Sequence, residues 1–139
     1  MRRRRLAAAL TLALVALLGA ACATAGPKPE EQAGSAFDRL LDHQEAVIGL
    51  VEESFGSPEE IAKAVNGYAD QHAAEIRALA EQLRGFAAKD PEGAQKVVGL
   101  RAEHLAAVTR RWQRVVDADP SLFEEPVVKR AMARVTPQL

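Results

Sequence analysis

Apolar residues recur along most of this chain at intervals of three and four, which is the spacing of one face of an α-helix. The pattern predicts a first long helix from Ser35 to about Phe55, where Gly56 favours a left-handed cap. The positions predicted to face inward in this helix are Phe37, Leu40, Leu41, Val47, Ile48, Val51 and Phe55.

A second helix has the clearest start. Ser57 is a good N-cap, Pro58 suits the first turn, and Glu60 stands where a capping box needs an acidic residue. The pattern then continues to about Lys89. The positions predicted to face inward are Ile61, Val65, Tyr68, His72, Ile76, Leu79, Leu83 and Phe86.

A third helix is predicted from Asp90-Pro91 to about Ala118, and a short last helix from Pro126. The inward positions of the third helix are predicted to be Ala94, Val97, Val98, Leu105, Val108, Trp112, Val115 and Val116, and those of the last helix Val127, Val128, Ala131, Met132 and Val135.

No stretch alternates between apolar and polar residues as a half-buried strand would, so the sequence predicts an all-α fold. Loops of one to four residues place consecutive helices antiparallel. We therefore expect residues 35–139 to form one domain, an up-down-up bundle of three long helices with the short fourth packed across one end.

The first residues follow a different pattern. Four arginines precede an apolar run that begins at Leu6, small residues follow, and Cys22 comes next. This order is typical of a secretory signal, predicted here as residues 1–21. From Leu6 to Ala21 there are 16 residues, about 24 Å as a helix and shorter than the ~30 Å of a bilayer core. A cleaved signal is therefore favoured over a permanent membrane helix.

The end of this segment, Leu18-Gly19-Ala20-Ala21-Cys22, resembles the lipobox of bacterial lipoproteins, and the resemblance covers residues 1–22 only. It implies that the Cys22 thiol receives a diacylglycerol, with fatty acyl chains such as palmitate, and becomes the mature N-terminus. Because Ala23 is not the aspartate typical of inner-membrane retention, the resemblance also implies the outer membrane, facing the periplasm.

Ordinary signal cleavage is the alternative, since Ala21-Cys22-Ala23 and Ala23-Thr24-Ala25 both match an A-x-A site. Cleavage there would remove the cysteine and release a soluble, chaperone-like periplasmic protein. In either case the Pro- and Gly-containing stretch up to residue 34 is predicted to be a flexible tether, so that residues 22–34 join the lipidated cysteine to the bundle.

Charge and cysteine content narrow the function further. Of the 18 Lys and Arg residues four are Arg2–Arg5, which leaves 14 against 19 acidic residues, a charge of about −5 for the exported part. An acidic domain is a poor match for nucleic acid. The single cysteine excludes disulfides and cysteine-rich metal sites. No motif of a catalytic nucleophile or a phosphate-binding loop is present, so we expect no enzyme.

His43, His72 and His104 fall one on each predicted long helix. Counting from the turns places His43 beside His72, with His104 about 6 Å away along its helix. Helix bundles build metal and haem sites in this way. However, only His72 lies squarely on its apolar stripe, and no Cys-x-x-Cys-His haem motif occurs. We expect core or boundary histidines and assign no cofactor or metal; a haem or divalent metal near His72 is the alternative.

Four other features have ordinary interpretations. Arg101 interrupts an apolar stripe, so it either extends its head to solvent or finds a buried partner, for which Glu75 and Gln44 are candidates. Trp112 and Tyr68 are expected in the core. The basic residues late in the sequence are expected to be solvated; they are Arg110, Arg111, Arg114, Lys129, Arg130 and Arg134.

Together these observations predict a membrane-anchored envelope lipoprotein whose folded part is a non-enzymatic helical module. Its expected partners are the membrane, through the lipid on Cys22, and an envelope protein that the sequence does not identify.

Overall fold

The computed structural model describes residues 26–139; the predicted signal, Cys22 and the first residues of the predicted tether lie outside this range. All regular elements of the described part are helices, which confirms the predicted all-α class. None of these helices, within residues 26–139, has the length and hydropathy that crossing a bilayer requires. The helices are α1 (Pro29–Glu53), α2 (Pro58–Lys89), α3 (Pro91–Gly99), α4 (Ala102–Ala118), α5 (Pro120–Glu124) and α6 (Pro126–Val135).

Helix α1 begins at Pro29, so the start predicted at Ser35 is wrong and residues 29–34 are not tether. Pro29 occupies the first turn, where its missing N–H costs nothing, and the acidic Glu31 complements the helix dipole there. The Lys28 N–H donates to Glu31 Oε2 over 3.2 Å. Ala33 is buried against the core, and this burial extends the helix through a stretch that its Pro and Gly content marked as a linker.

The turn between α1 and α2 confirms the predicted roles of Gly56, Ser57 and Pro58. The reciprocal half of the predicted capping box is absent, because the Ser57 N–H donates to the Ser54 carbonyl over 3.3 Å and not to the Glu60 side chain. Gly56 has a φ of +97°, the left-handed conformation that glycine tolerates best. The Ser57 Oγ accepts a hydrogen bond from the Glu60 N–H over 3.3 Å, and Pro58 occupies the first turn of α2. These local signals place the start of α2 where the sequence predicted it.

Polar contacts define how α1 lies against its neighbours. In the pairs between α1 and α2, the residue number rises in one helix as it falls in the other. In the pairs between α1 and the chain from residue 101 onward, both residue numbers rise together. The first set is Gln32 with Gln82 and Arg39 with Glu75; the second is Asp38 with Arg101, Glu45 with His104 and Glu52 with Arg111.

The predicted third helix is divided, so its prediction as one element is wrong. α3 ends at Gly99 and α4 begins at Ala102, with Leu100 85% exposed between them. Apolar periodicity continues across the break, which is why the sequence pattern did not reveal it. Gly99 lowers the cost of interrupting the helix, since glycine is about 1 kcal/mol less favourable than alanine in a helix interior.

Arg101, at this break, forms a two-point contact with α1. Its Nε and Nη2 donate to the two carboxylate oxygens of Asp38 over 2.7 and 2.9 Å, and its Nη1 donates to the Val97 carbonyl over 3.3 Å. A Cβ on Gly34 would lie 2.5 Å from Nη2, so the absence of a side chain makes room for the guanidinium. The candidate partners Glu75 and Gln44 are therefore wrong; the partner is Asp38.

Helix α6 lies along the side of α2, not across one end of the bundle as predicted. Arg134 of α6 donates to Asn66 Oδ1 over 2.8 Å and to Asp70 Oδ1 over 2.6 Å, both on α2. The predicted inward positions Val128, Ala131 and Val135 are fully buried. Helix α6 is only ten residues long, yet it contributes these three buried side chains to the core.

All but two of the predicted inward positions are buried or half-buried. The two exceptions are Phe55, 42% exposed in the turn after α1, and Val98, 40% exposed in the last turn of α3. The largest fully buried side chains are Ile48, Ile61, Ile76, Val47, Val51, Val65, Val128 and Val135.

Candidate functional site

His43 is the one buried polar side chain among residues 26–139, and 8% of its surface is exposed. The expectation that only His72 lies squarely on its apolar stripe is therefore wrong for His43. Leu40 and Val47 lie three residues before it and four after it on the same face of α1, and both are buried. A histidine held in this position requires polar partners, because an unpaired buried polar group is costly.

Two residues of α2 supply these partners. His43 Nδ1 lies 2.6 Å from the Tyr68 Oη, and His43 Nε2 lies 3.6 Å from Glu75 Oε1. Burial raises the pKa of the Tyr68 hydroxyl, and the negative charges of Glu75 and Asp42 raise that pKa further. The phenol therefore stays protonated at neutral pH. Tyr68, predicted as a core residue, is half-buried and hydrogen-bonded to the histidine.

His72 completes this group. Its ring centroid lies 5.3 Å from that of His43 and 4.3 Å from that of Tyr68. The predicted placement of His43 beside His72 is confirmed. Glu75 follows His72 by three residues and therefore lies on the same face of α2. We call His43, Tyr68, His72 and Glu75 the interface cluster, because they lie between α1 and α2.

One donor atom from each of His43, His72 and Glu75 lies within 4.8 Å of the other two. The Arg39 guanidinium also contacts the Glu75 carboxylate from the solvent side. Glu75 belongs to a site that sequence reasoning missed. The spacing of three residues between His72 and Glu75 could have indicated the site, since two donors about one helical turn apart lie on the same face of a helix.

His104 does not join the other two histidines. Its Nε2 lies 3.2 Å from Glu45 Oε1, and the two side chains are 38% and 44% exposed. Together with Asp42 these residues form a second group of donors within 4.8 Å, which we call the surface cluster. The three histidines, predicted at similar heights of the bundle, thus divide into two sites on different faces of α1.

A polar link inside the bundle was also missed. The Trp112 Nε1–H donates to Gln44 Oε1 over 3.3 Å, and Gln44 Nε2 donates to the Val135 carbonyl over 3.1 Å. Trp112 is half-buried, and through Gln44 it ties α4 to α1 and to the end of α6. Nothing in the spacing of these residues indicated that three separate helices would meet there.

Three of the six late basic residues, Arg111, Lys129 and Arg134, contact acidic residues of other elements. Arg111 donates to both carboxylate oxygens of Glu52, and this hydrogen-bonded pair lowers the pKa of Glu52. Lys129 Nζ lies 2.5 Å from Glu124 Oε2. Arg134 contacts α2 as described above. These pairs are exposed to solvent, as the sequence predicted for this basic region.

Two serines serve helix ends. Ser57 caps α2, and the Ser121 N–H and hydroxyl both donate to Asp119 Oδ1 at the start of α5.

Cys22, the predicted lipidation residue, lies outside the described residues. Comparison with protein-family models, curated proteins and solved structures finds no match for this chain.

Proposed function

We propose that this protein is a bacterial envelope lipoprotein, anchored through lipid on Cys22, whose helical domain acts by binding a partner and not by catalysis. The observation that carries the proposal is the order of residues 1–22: four arginines, an apolar run too short to span a bilayer, small residues and the only cysteine. By analogy with lipoprotein sorting, Ala23 places the anchor in the outer membrane, facing the periplasm.

The position of α1 supports a short attachment. Because α1 begins at Pro29, seven residues separate the lipid from the first helical turn, Cys22 to Lys28. Seven residues span at most about 25 Å when fully extended. The domain is then held close to the lipid headgroups, and its partner must itself be in the envelope.

The surface at that end of the domain supports a contact role. Leu100, 85% exposed, precedes Arg101, whose guanidinium contacts Asp38 and lies over Gly34 near the start of α1. A partner that covered Leu100 would lie near the anchored end of the domain.

Mass spectrometry of the mature N-terminus tests the anchor. We expect the exported wild-type protein to begin at Cys22, to carry the mass of its acyl chains and to partition into detergent. Cys22→Ser should abolish the added mass and the partitioning, whereas the matched control Thr24→Ala should retain both. A mature chain that begins at Thr24 or Gly26 without acyl mass would overturn the anchor and support the soluble periplasmic alternative.

A further inference from the structure

The interface cluster brings together the donor types that transition metals prefer. His43 and His72 offer imidazole nitrogens and Glu75 offers a carboxylate oxygen, all within 4.8 Å of one another. Two imidazoles and one carboxylate form a ligand set that suits zinc, with a fourth position left for water. The two helices hold these donors from opposite sides, which is the arrangement that helix bundles use for metal sites.

The surroundings of His43 are those of an oriented ligand. A metal-binding imidazole donates its other ring N–H to an oxygen, which fixes the ring and its tautomer. Tyr68 Oη lies 2.6 Å from Nδ1 and can accept that hydrogen bond, so that Nε2, on the side of Glu75, is left to bind the metal. Burial of His43 restricts its ring further.

The electrostatics of the cluster favour a cation. The Glu75 carboxylate oxygen lies within 4.8 Å of a ring nitrogen of each histidine of the cluster, and the field of its negative charge favours a cation between them. Arg39 already neutralises part of this negative charge, since its guanidinium contacts the Glu75 carboxylate. Arg39 is 57% exposed and can move into solvent when another cation binds Glu75.

We propose that His43, His72 and Glu75 bind one divalent transition-metal ion, with zinc as the best-matched probe, and that Tyr68 positions His43 for it. This differs from the sequence expectation, which assigned no metal. Donors around zinc at about 2.1 Å lie about 3.4 Å apart, so separations of up to 4.8 Å must shorten. His72 and Glu75 are half-exposed and can rotate, while His43 stays fixed.

Zinc titration of the full-length chain in detergent, followed by calorimetry, tests the site. Cys22→Ser is included in all samples so that no thiol competes for zinc. We expect one zinc ion per chain, and visible absorption bands of a four-coordinate ion when Co²⁺ is used instead. Losing an outer-shell partner lowers metal affinity about 10- to 100-fold, so losing the ligand His72 in His72→Ala should cost at least about 100-fold.

Two further variants distinguish zinc binding at the interface cluster from binding at the surface cluster. His104→Ala removes the histidine of the surface cluster and should leave zinc affinity unchanged. Arg39→Ala removes the competing cation and should tighten binding about three- to fivefold, as expected for one unit charge near the surface. Circular dichroism of each variant confirms that it is folded.

Three results would overturn the proposal: no zinc binding to the folded protein, equal binding by His72→Ala, or loss of binding in His104→Ala in place of His72→Ala. Because zinc binding is measured without the lipid, its outcome is independent of the anchor. A failed lipidation experiment therefore leaves this inference standing.

Discussion

The interface cluster and the surface cluster contain adjacent residues of α1, His43 and Asp42 respectively, but differ in their physical properties. Both contain histidine and a carboxylate, and each brings three donors within 4.8 Å. His43, in the first, is buried and has partners on both ring nitrogens. His104, in the second, is 38% exposed and pairs through Nε2 with an exposed Glu45.

The difference shows that burial, more than composition, decides what such a group does. Water competes for every donor of the surface cluster and weakens each interaction, as it does for ion pairs on protein surfaces generally. In the interface cluster, two helices exclude part of that water and Tyr68 restricts the histidine. The same residue types are therefore expected to make unequal contributions to the stability of the fold.

The largest expected effect comes from removing each histidine in turn, in the presence of a metal chelator. His43→Ala should lower the free energy of unfolding by about 2–4 kcal/mol, because it opens a cavity and leaves the Tyr68 hydroxyl without its buried partner. His104→Ala should cost less than about 1 kcal/mol. Urea unfolding followed by circular dichroism measures both; similar losses in the two variants would contradict the comparison.

An intermediate effect is expected for Tyr68→Phe, which removes only the hydroxyl. The lost hydrogen bond to His43 should lower the free energy of unfolding by about 1 kcal/mol. In a His43→Ala background the same change should cost much less, since the shared interaction is already absent. A double-mutant cycle by urea unfolding measures this coupling, and full additivity would show that the two side chains act independently.

The smallest effect is expected on the α4 side of α1, at the exposed pair of Glu52 and Arg111. The Arg111 hydrogen bond lowers the pKa of Glu52 below its usual value of 4.5. The stability that the pair contributes is therefore present above that usual value and is lost as the pH falls through the lowered pKa of the folded state. Because both side chains are exposed, Glu52→Gln should cost less than about 1 kcal/mol near neutral pH.

Urea unfolding at neutral and acidic pH checks this sign. The difference between wild type and Glu52→Gln should shrink in acid, below the lowered pKa of Glu52. Glu53→Gln, at the neighbouring exposed position, is the matched control and should change little at either pH. A Glu52→Gln loss that grows in acid would contradict the assignment.

Local signals in the sequence were accurate where a few neighbouring residues define the geometry. Gly56, Ser57 and Pro58 define the first turn because a left-handed glycine, a side-chain cap and a first-turn proline act within one helical turn. The all-α class followed from periodicity for the same reason. The start of α1 was misjudged because burial of Ala33 depends on residues far along the chain.

The candidate site was predicted only in part. Counting residues from a short turn placed His43 beside His72, since antiparallel helices joined by a tight turn have little freedom of register. Counting across the next turn was less informative, because the third helix is interrupted at Leu100 and His104 then faces Glu45. A break in a helix rotates the second segment relative to the first, and the spacing of apolar residues does not predict that rotation.

The sequence alone determined the all-α class, the starts of three of the six helices and the apolar faces of the longer ones, because these properties depend on contacts within a turn or two. Only the tertiary structure decided that Asp38 is the partner of Arg101, that α6 lies along α2, and that His43 is buried. These outcomes depend on how several apolar faces pack at once, and many pairings of side chains are compatible with the same helical pattern.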